Sequence, residues 1–207
     1  MLDATLRPLI DPSLNRLGRS LARRGLTADA MTVIGLGLGL LAAALIVVGW
    51  SGLALIPLLA GRVADGLDGA VARATRTTDF GGYLDIVADF AFYGAIPLAF
   101  VLQNPALNGA AGAFLLASFY VNGTSFLGFA ILAEKRGMET QAQGVKSLYY
   151  SNGILEGTET IVFFVLLCLF PAYFNVMAWL FGTLCLATAI LRVRTAYRLF
   201  PHSKDRS

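Results

Sequence analysis

Residues 65–89 read DGLDGAVARATRTTDFGGYLDIVAD, and this stretch decides how the rest of the chain is read. Asp65 and Asp68 stand three apart and Asp85 and Asp89 four apart, so each pair shares one face of a helix. Apolar sequence flanks both pairs, and carboxylates at membrane depth are too costly to be incidental. Two such helices facing each other gather four negative charges into one small volume. Like charges that close call for a counter-cation, and an all-oxygen acidic cluster suits Mg²⁺ or Mn²⁺. Two divalent cations in such a nest would clamp both the attacking and the leaving oxygen of a phosphoryl transfer.

The surrounding composition agrees with a membrane setting. Of 207 residues, 57% are hydrophobic and only 14% charged, which excludes an ordinary soluble domain. Stretches of roughly 20 residues, long enough to span, are read at 31–50, 53–75, 80–102, 110–132, 154–171 and 174–196. The expected fold is therefore all-α: one integral membrane domain over 1–207, with six transmembrane helices after an amphipathic interfacial helix at 12–24. No signal peptide is expected, because a polar, Arg-bearing stretch precedes the first apolar run.

Charge placement orients the chain. If the six spans alternate, the connections near 51–52, 103–109 and 171–174 share one side and hold no Lys, Arg, Asp or Glu. All sixteen Lys and Arg lie toward the other side. By the positive-inside rule both termini and the acidic stretch are expected in the cytoplasm, in a cell (inner) membrane. The net charge of +3 thus understates a basic face suited to anionic headgroups and nucleotides. Cys168 and Cys185 fall in apolar spans and read as small hydrophobes, and the lone His202 reads as a solvated tail residue.

Before the first span, Asp11 is read as a cap and Pro12 as the first residue of the interfacial helix, with Leu14, Leu17 and Leu21 on one stripe. Gly25 suits the end of that helix. Thr27 suits the cap of the next, with Asp29 in its first turn. Gly35, Gly37 and Gly39 read as close-packing positions. Between the acidic pairs, Thr78 and Asp79 are read as a cap, while Arg76 and Asp79 are expected to be solvated. Arg73 has a fork suited to a diphosphate; the plainer alternative is snorkelling to the surface. After the fourth span, EKRGMETQAQGVKSLYYSNGILEGTET is read as a cytoplasmic loop leading into the fifth helix. It carries Glu156 and Glu159 just inside the membrane, either for acceptor recognition or for an ion pair with Lys146 or Arg62.

The pattern D-x2-D-G-x2-A-R-x7-G-x3-D-x3-D, filled at every fixed position from Asp65 to Asp89, resembles the signature of the CDP-alcohol phosphotransferases (CDP-alcohol phosphatidyltransferases). The six apolar segments and the preceding basic helix resemble the same family. The resemblance implies that Asp65, Asp68, Asp85 and Asp89 hold two divalent cations, Mg²⁺ or Mn²⁺, and that Asp89 accepts the acceptor's proton. It implies nucleotide contacts at Asp65, Gly69, Arg73 and Thr27. Glu156, Glu159 and Lys146 are the acceptor-binding candidates.

The activity implied is transfer of a phosphatidyl group from a CDP-linked lipid donor, CDP-diacylglycerol foremost, to the hydroxyl of a small alcohol, releasing CMP. Family members that make phosphatidylglycerophosphate typically carry Lys after the last aspartate, where this chain has Phe90, which counts against glycerol phosphate as acceptor. The alternatives are transfer of a phospho-headgroup from a CDP-amino alcohol to diacylglycerol and, from another class, a cation- or proton-coupled transporter. Partners expected besides the substrates are membrane lipids and a second copy of the chain, packed through Gly94, Gly109, Ala110, Gly112 and Gly123; no nucleic acid is expected.

Overall fold

The computed structural model describes residues 2–136, 155 and 157–200, and every regular element among them is helical. In order these are α1 (Leu2–Arg23), α2 (Ala28–Val47), α3 (Ser51–Ala74), α4 (Asp79–Gln103), α5 (Pro105–Lys135), α6 (Gly157–Leu169), a 3₁₀ turn at Pro171–Tyr173, and α7 (Phe174–Leu199).

The breaks fall where backbone chemistry places them. Gly25 takes φ +86°, its N–H donates to the Ala22 carbonyl, and the Leu26 N–H donates to that of Leu21, a Schellman turn that ends α1. Gly49, at φ +90°, closes α2 in the same manner, with Trp50 donating back to Leu45. The Thr27 and Thr78 hydroxyls accept from the N–H groups of Ala30 (3.2 Å) and Gly81 (3.0 Å), capping α2 and α4 as their sequence positions predict.

Other expectations change. The surface helix read over 12–24 starts at Leu2, so Asp11 is not its cap and Pro12 lies inside it. Pro8 and Pro12 are four apart, so the donors they withhold fall on one side of α1 and the rest of the ladder carries the helix past them. The span expected at 110–132 lengthens to Pro105–Lys135, because Asn104 accepts from Leu107 N–H and Pro105 fits the first helical turn. Four described helical stretches are long and apolar enough to cross a membrane: α2, α4, α5 and Pro171–Leu199. The other two expected spans differ in kind. α3 has 24 residues but carries Arg62, Asp65, Asp68 and Arg73, and α6 has 13 residues, short of the roughly 20 that span a bilayer.

α2 lies along α3 and α4, α5 lies along α7, and α1 rests on α3. α2 and α3 approach closely: a Cβ on Gly61 would stand 3.0 Å from the Gly35 carbonyl oxygen. Only glycine at both positions lets the two backbones meet so closely. α1 seats on α3 in a similar way, since a Cβ on Gly18 would come 2.6 Å from that of Ala70. Ile46, Leu58, Phe92, Ile96, Phe100, Leu115, Phe164 and Phe174 are fully buried in one core, and Cys168 and Cys185 are buried there as free thiols. Many large apolar side chains, Leu40, Leu41, Ile56 and Leu98 among them, stand outside that core, a surface suited to lipid. α7 is tied to α5 by Arg192, whose Nη1 donates to the Asn122 carbonyl (3.1 Å), Asn122 Oδ1 (2.9 Å) and Ser125 Oγ (2.8 Å). Of the small residues expected between subunits, Gly112 abuts Val101 and Gly123 abuts the Phe90 ring within the chain, while Gly94 and Gly109 have open space above them.

Candidate metal and nucleotide site

The polar ends of α3 and α4 face each other. Asp65 and Asp68 project from α3 and Asp85 from α4, and one carboxylate oxygen of each lies within 4.8 Å of the other two. The helical spacing places Asp65 and Asp68 side by side, and the packing of α2 against both helices sets the gap to Asp85. Asp68 is the most deeply placed of the three, 8% exposed, and its Oδ2 accepts a 2.6 Å hydrogen bond from the Thr32 hydroxyl of α2. Three oxygen donors from two helices, one of them oriented by a hydroxyl, fit a hard divalent cation in charge and ligand type.

Asp89 stands apart from that trio. Its Oδ1 accepts a 2.9 Å hydrogen bond from Arg62 Nη1, and the same nitrogen lies 3.4 Å from Oδ1 of Asp65. The Arg62 guanidinium is stacked 4.1 Å from the centroid of the Phe92 ring, an arrangement favourable to a cation.

A cleft of about 540 Å³ opens beside the carboxylates. Its walls are the start of α2 (Thr27, Ala28, Asp29, Thr32), the end of α3 (Asp68, Gly69, Ala72), the connection Thr75–Thr78, and the start of α4 (Gly81, Gly82, Asp85). Ala22, Gly25 and Leu26 complete it, so the end of α1 and the turn after it supply part of one wall. Two helix N-termini thus meet in one cleft, and their free N–H groups and dipoles favour an anion there. The starts of α2 and α4 come close because Gly81 has no side chain: a Cβ would stand 3.1 Å from Asp29 Oδ1.

The residues expected from sequence are distributed as follows. Asp68, Asp85, Gly69 and Thr27 line the cleft, and Asp65 adjoins it through the carboxylate trio. Arg73 is exposed and turns toward α1, donating from Nε (3.2 Å) and Nη2 (2.9 Å) to Asn15 Oδ1. Its Nη1 passes over Gly69, where a Cβ would come within 3.2 Å of it. Arg76, read as a solvated loop residue, is exposed and also lines the cleft. Glu159 lies in the first turn of α6, and Glu156 and Lys146 lie outside the described residues. Sequence reasoning missed Thr32, whose role depends on how α2 meets α3, and took Arg62 only as a partner for the glutamates. The i,i+3 spacing of Arg62 and Asp65 was the available signal.

Residues 25–192 match the family model for CDP-alcohol phosphatidyltransferase. The chain is 47% identical over 197 residues to the inner membrane protein YnjF of Escherichia coli (strain K12), covering 95% of this chain and 96% of that protein. It is 32% identical over 192 residues to the archaetidylinositol phosphate synthase of Pyrococcus horikoshii, covering 92% and 94%. The fold is shared with the Mycobacterium tuberculosis phosphatidylinositol phosphate synthase PgsA1. The crystal structure of that protein with CDP-DAG bound superposes at a TM-score of 0.72, with 22% identity and coverage of 94% and 98%. Its complex with manganese and citrate gives 0.71, with 23% identity and coverage of 94% and 93%. With its signature aspartates gathered from two helices and its match over most of its length, the chain belongs to the CDP-alcohol phosphatidyltransferase family, a family of transferases.

Proposed function

We propose that this protein transfers a phosphatidyl group from CDP-diacylglycerol to the hydroxyl of a small alcohol and releases CMP. The observation that carries this reading is the meeting of three carboxylates within 4.8 Å at the edge of a cleft walled by two helix N-termini. An anionic diphosphate and divalent cations are complementary to such a place. The structural relative that holds CDP-DAG and the one that holds manganese support the same substrates and ions here.

Asp65, Asp68 and Asp85, with Asp89 completing the shell, are proposed to hold two cations, Mg²⁺ or Mn²⁺. When bound, these ions supply Lewis-acid polarisation of the phosphoryl oxygens and lower the pKa of an acceptor hydroxyl. The chain's own residues do the rest. Thr32 fixes the carboxylate of Asp68. Thr27, Gly69 and the starts of α2 and α4 receive the nucleotide, with Asp65 beside it, and Arg73 exchanges the neutral oxygen of Asn15 for the charged diphosphate. Asp89, held by Arg62 rather than clustered with the trio, takes the proton of the attacking hydroxyl. Glu159, with Glu156 and Lys146, is proposed to read the acceptor.

The membrane reading completes the proposal: one domain of six spans, α2 to α7, in which α3 carries the charged site. Both termini and the cleft face the cytoplasm, on the charge asymmetry of the connections. A homodimer packed on the side of Gly94, Gly109 and Ala110 is part of the same reading.

The test is CMP release by the purified protein from CDP-diacylglycerol, with Mg²⁺, with Mn²⁺ and with a chelator, across a panel of alcohols including serine, inositol phosphate and glycerol phosphate. Metal-dependent CMP release with one preferred alcohol is the expected result. Release only from CDP-ethanolamine with diacylglycerol would replace the donor assignment, and no CMP from either donor would overturn the reading.

A further inference from the structure

One cation stands between the carboxylate trio and the aspartate outside it. Arg62 Nη1 is 3.4 Å from Oδ1 of Asp65 and 2.9 Å from Oδ1 of Asp89. The guanidinium is backed by the Phe92 ring at 4.1 Å, and Phe92 is fully buried in the core. Its Nε is buried without a hydrogen-bond partner, so ring stacking holds that side of the group while Nη1 reaches the acids. Arg62 is therefore a positioned charge in the space between Asp65 and Asp89.

We propose that Arg62 is a tethered competitor for the second divalent cation. The inference rests on the two-cation reading above. The trio of Asp65, Asp68 and Asp85 accepts a first ion with its oxygens already within 4.8 Å of one another. Any ion shared by Asp65 and Asp89 must enter the place that Nη1 holds, and two cations do not share it. The two ions then load in order and with unequal affinity. Arg62 acts as a positioning residue: it keeps Asp89 oriented before the second ion arrives and makes that arrival the weaker step.

The experiment is a Mn²⁺ titration of the full-length protein in detergent without substrate, with free Mn²⁺ followed by electron paramagnetic resonance. In the unmodified protein a tight site and a second site at least about tenfold weaker are expected, or a single site if competition is complete. Arg62→Gln should tighten the weaker site by at least about tenfold, because removing a unit charge about 4 Å away at an effective dielectric of about 20 is worth more than one decade. Arg62→Lys keeps the charge and should keep the weaker site weak. Should Arg62→Gln prove unstable by its melting temperature, Arg62→Met restores contact with Phe92 and must meet the same criterion. Two equal sites in the unmodified protein, or a second site unmoved in the neutral variants, would overturn the proposal. Absence of any Mn²⁺ binding in the unmodified protein would overturn the metal reading itself, an outcome distinct from equal or unmoved sites.

Discussion

α3 and α4 each carry two different chemistries along one axis. One half of the pair is apolar and close-packed: Leu58 of α3 and Phe92, Ile96 and Phe100 of α4 are fully buried in the common core. The other half holds Asp65, Asp68, Asp85 and Asp89, with Arg62 paired to two of them. α2, lying along both helices, sets how far apart they run, and the acidic half inherits that spacing whether or not it suits like charges. Phe92 is the joint, since it belongs to the core and also supports Arg62. Packed helices leave such a charge excess little room to relax by moving apart, and a bound cation would relieve the repulsion.

The sharpest way to break this comparison is to neutralise the acidic half alone. Asp68→Asn and Asp85→Asn are each expected to lower CMP release by at least about 10³-fold, the scale on which metal ligation and charge stabilisation act, with little change in melting temperature. A variant that keeps substantial activity would mean that these oxygens do not hold the ion.

The converse change is made in the packed half. Phe92→Ala is expected to lose about 3–5 kcal/mol of stability by leaving a cavity in the core, seen as a lower melting temperature in detergent. Activity at a permissive temperature should fall less than in Asp68→Asn. If it falls equally without loss of stability, Phe92 serves the site more than the core.

A smaller effect is expected where α2 reaches the acidic half through a hydrogen bond. Thr32→Val removes the 2.6 Å bond to Asp68, and bonds to charged groups are worth about 1.5–3 kcal/mol. Mn²⁺ affinity should drop by about tenfold or more while the helix content stays constant by circular dichroism. An unchanged affinity would show that the carboxylate is positioned without this bond.

The mildest expected change lies at the rim. Arg73→Lys keeps the charge and loses the fork, so CDP-diacylglycerol binding should weaken by about three- to tenfold. Equilibrium binding of the labelled nucleotide lipid measures it. An unaltered affinity, together with a lower melting temperature, would assign Arg73 to holding α1 through Asn15 instead.

Much of this protein was legible in one dimension, because short-range rules act within a few residues. Spacings of three and four determined that Asp65 and Asp68, and Asp85 and Asp89, share helix faces. Thr27 and Thr78 were readable as caps and Gly25 as a helix end, since each bonds backbone only a few positions away. What only the tertiary structure decided depends on how separate helices meet. Gly35 against Gly61 sets the approach of α2 to α3, and that approach brings Thr32 to Asp68, a contact across 36 residues. The division of four equivalent-looking aspartates into a trio and an Arg62-bound fourth follows from rotamers and interhelical distance, which no periodicity encodes. The same holds for Arg73, whose turn toward Asn15 reflects where α1 lies on α3 through Gly18 and Ala70. Local backbone chemistry made the elements and gathered the acids on helix faces; side-chain packing between helices determined which of those acids meet and which cation stands among them.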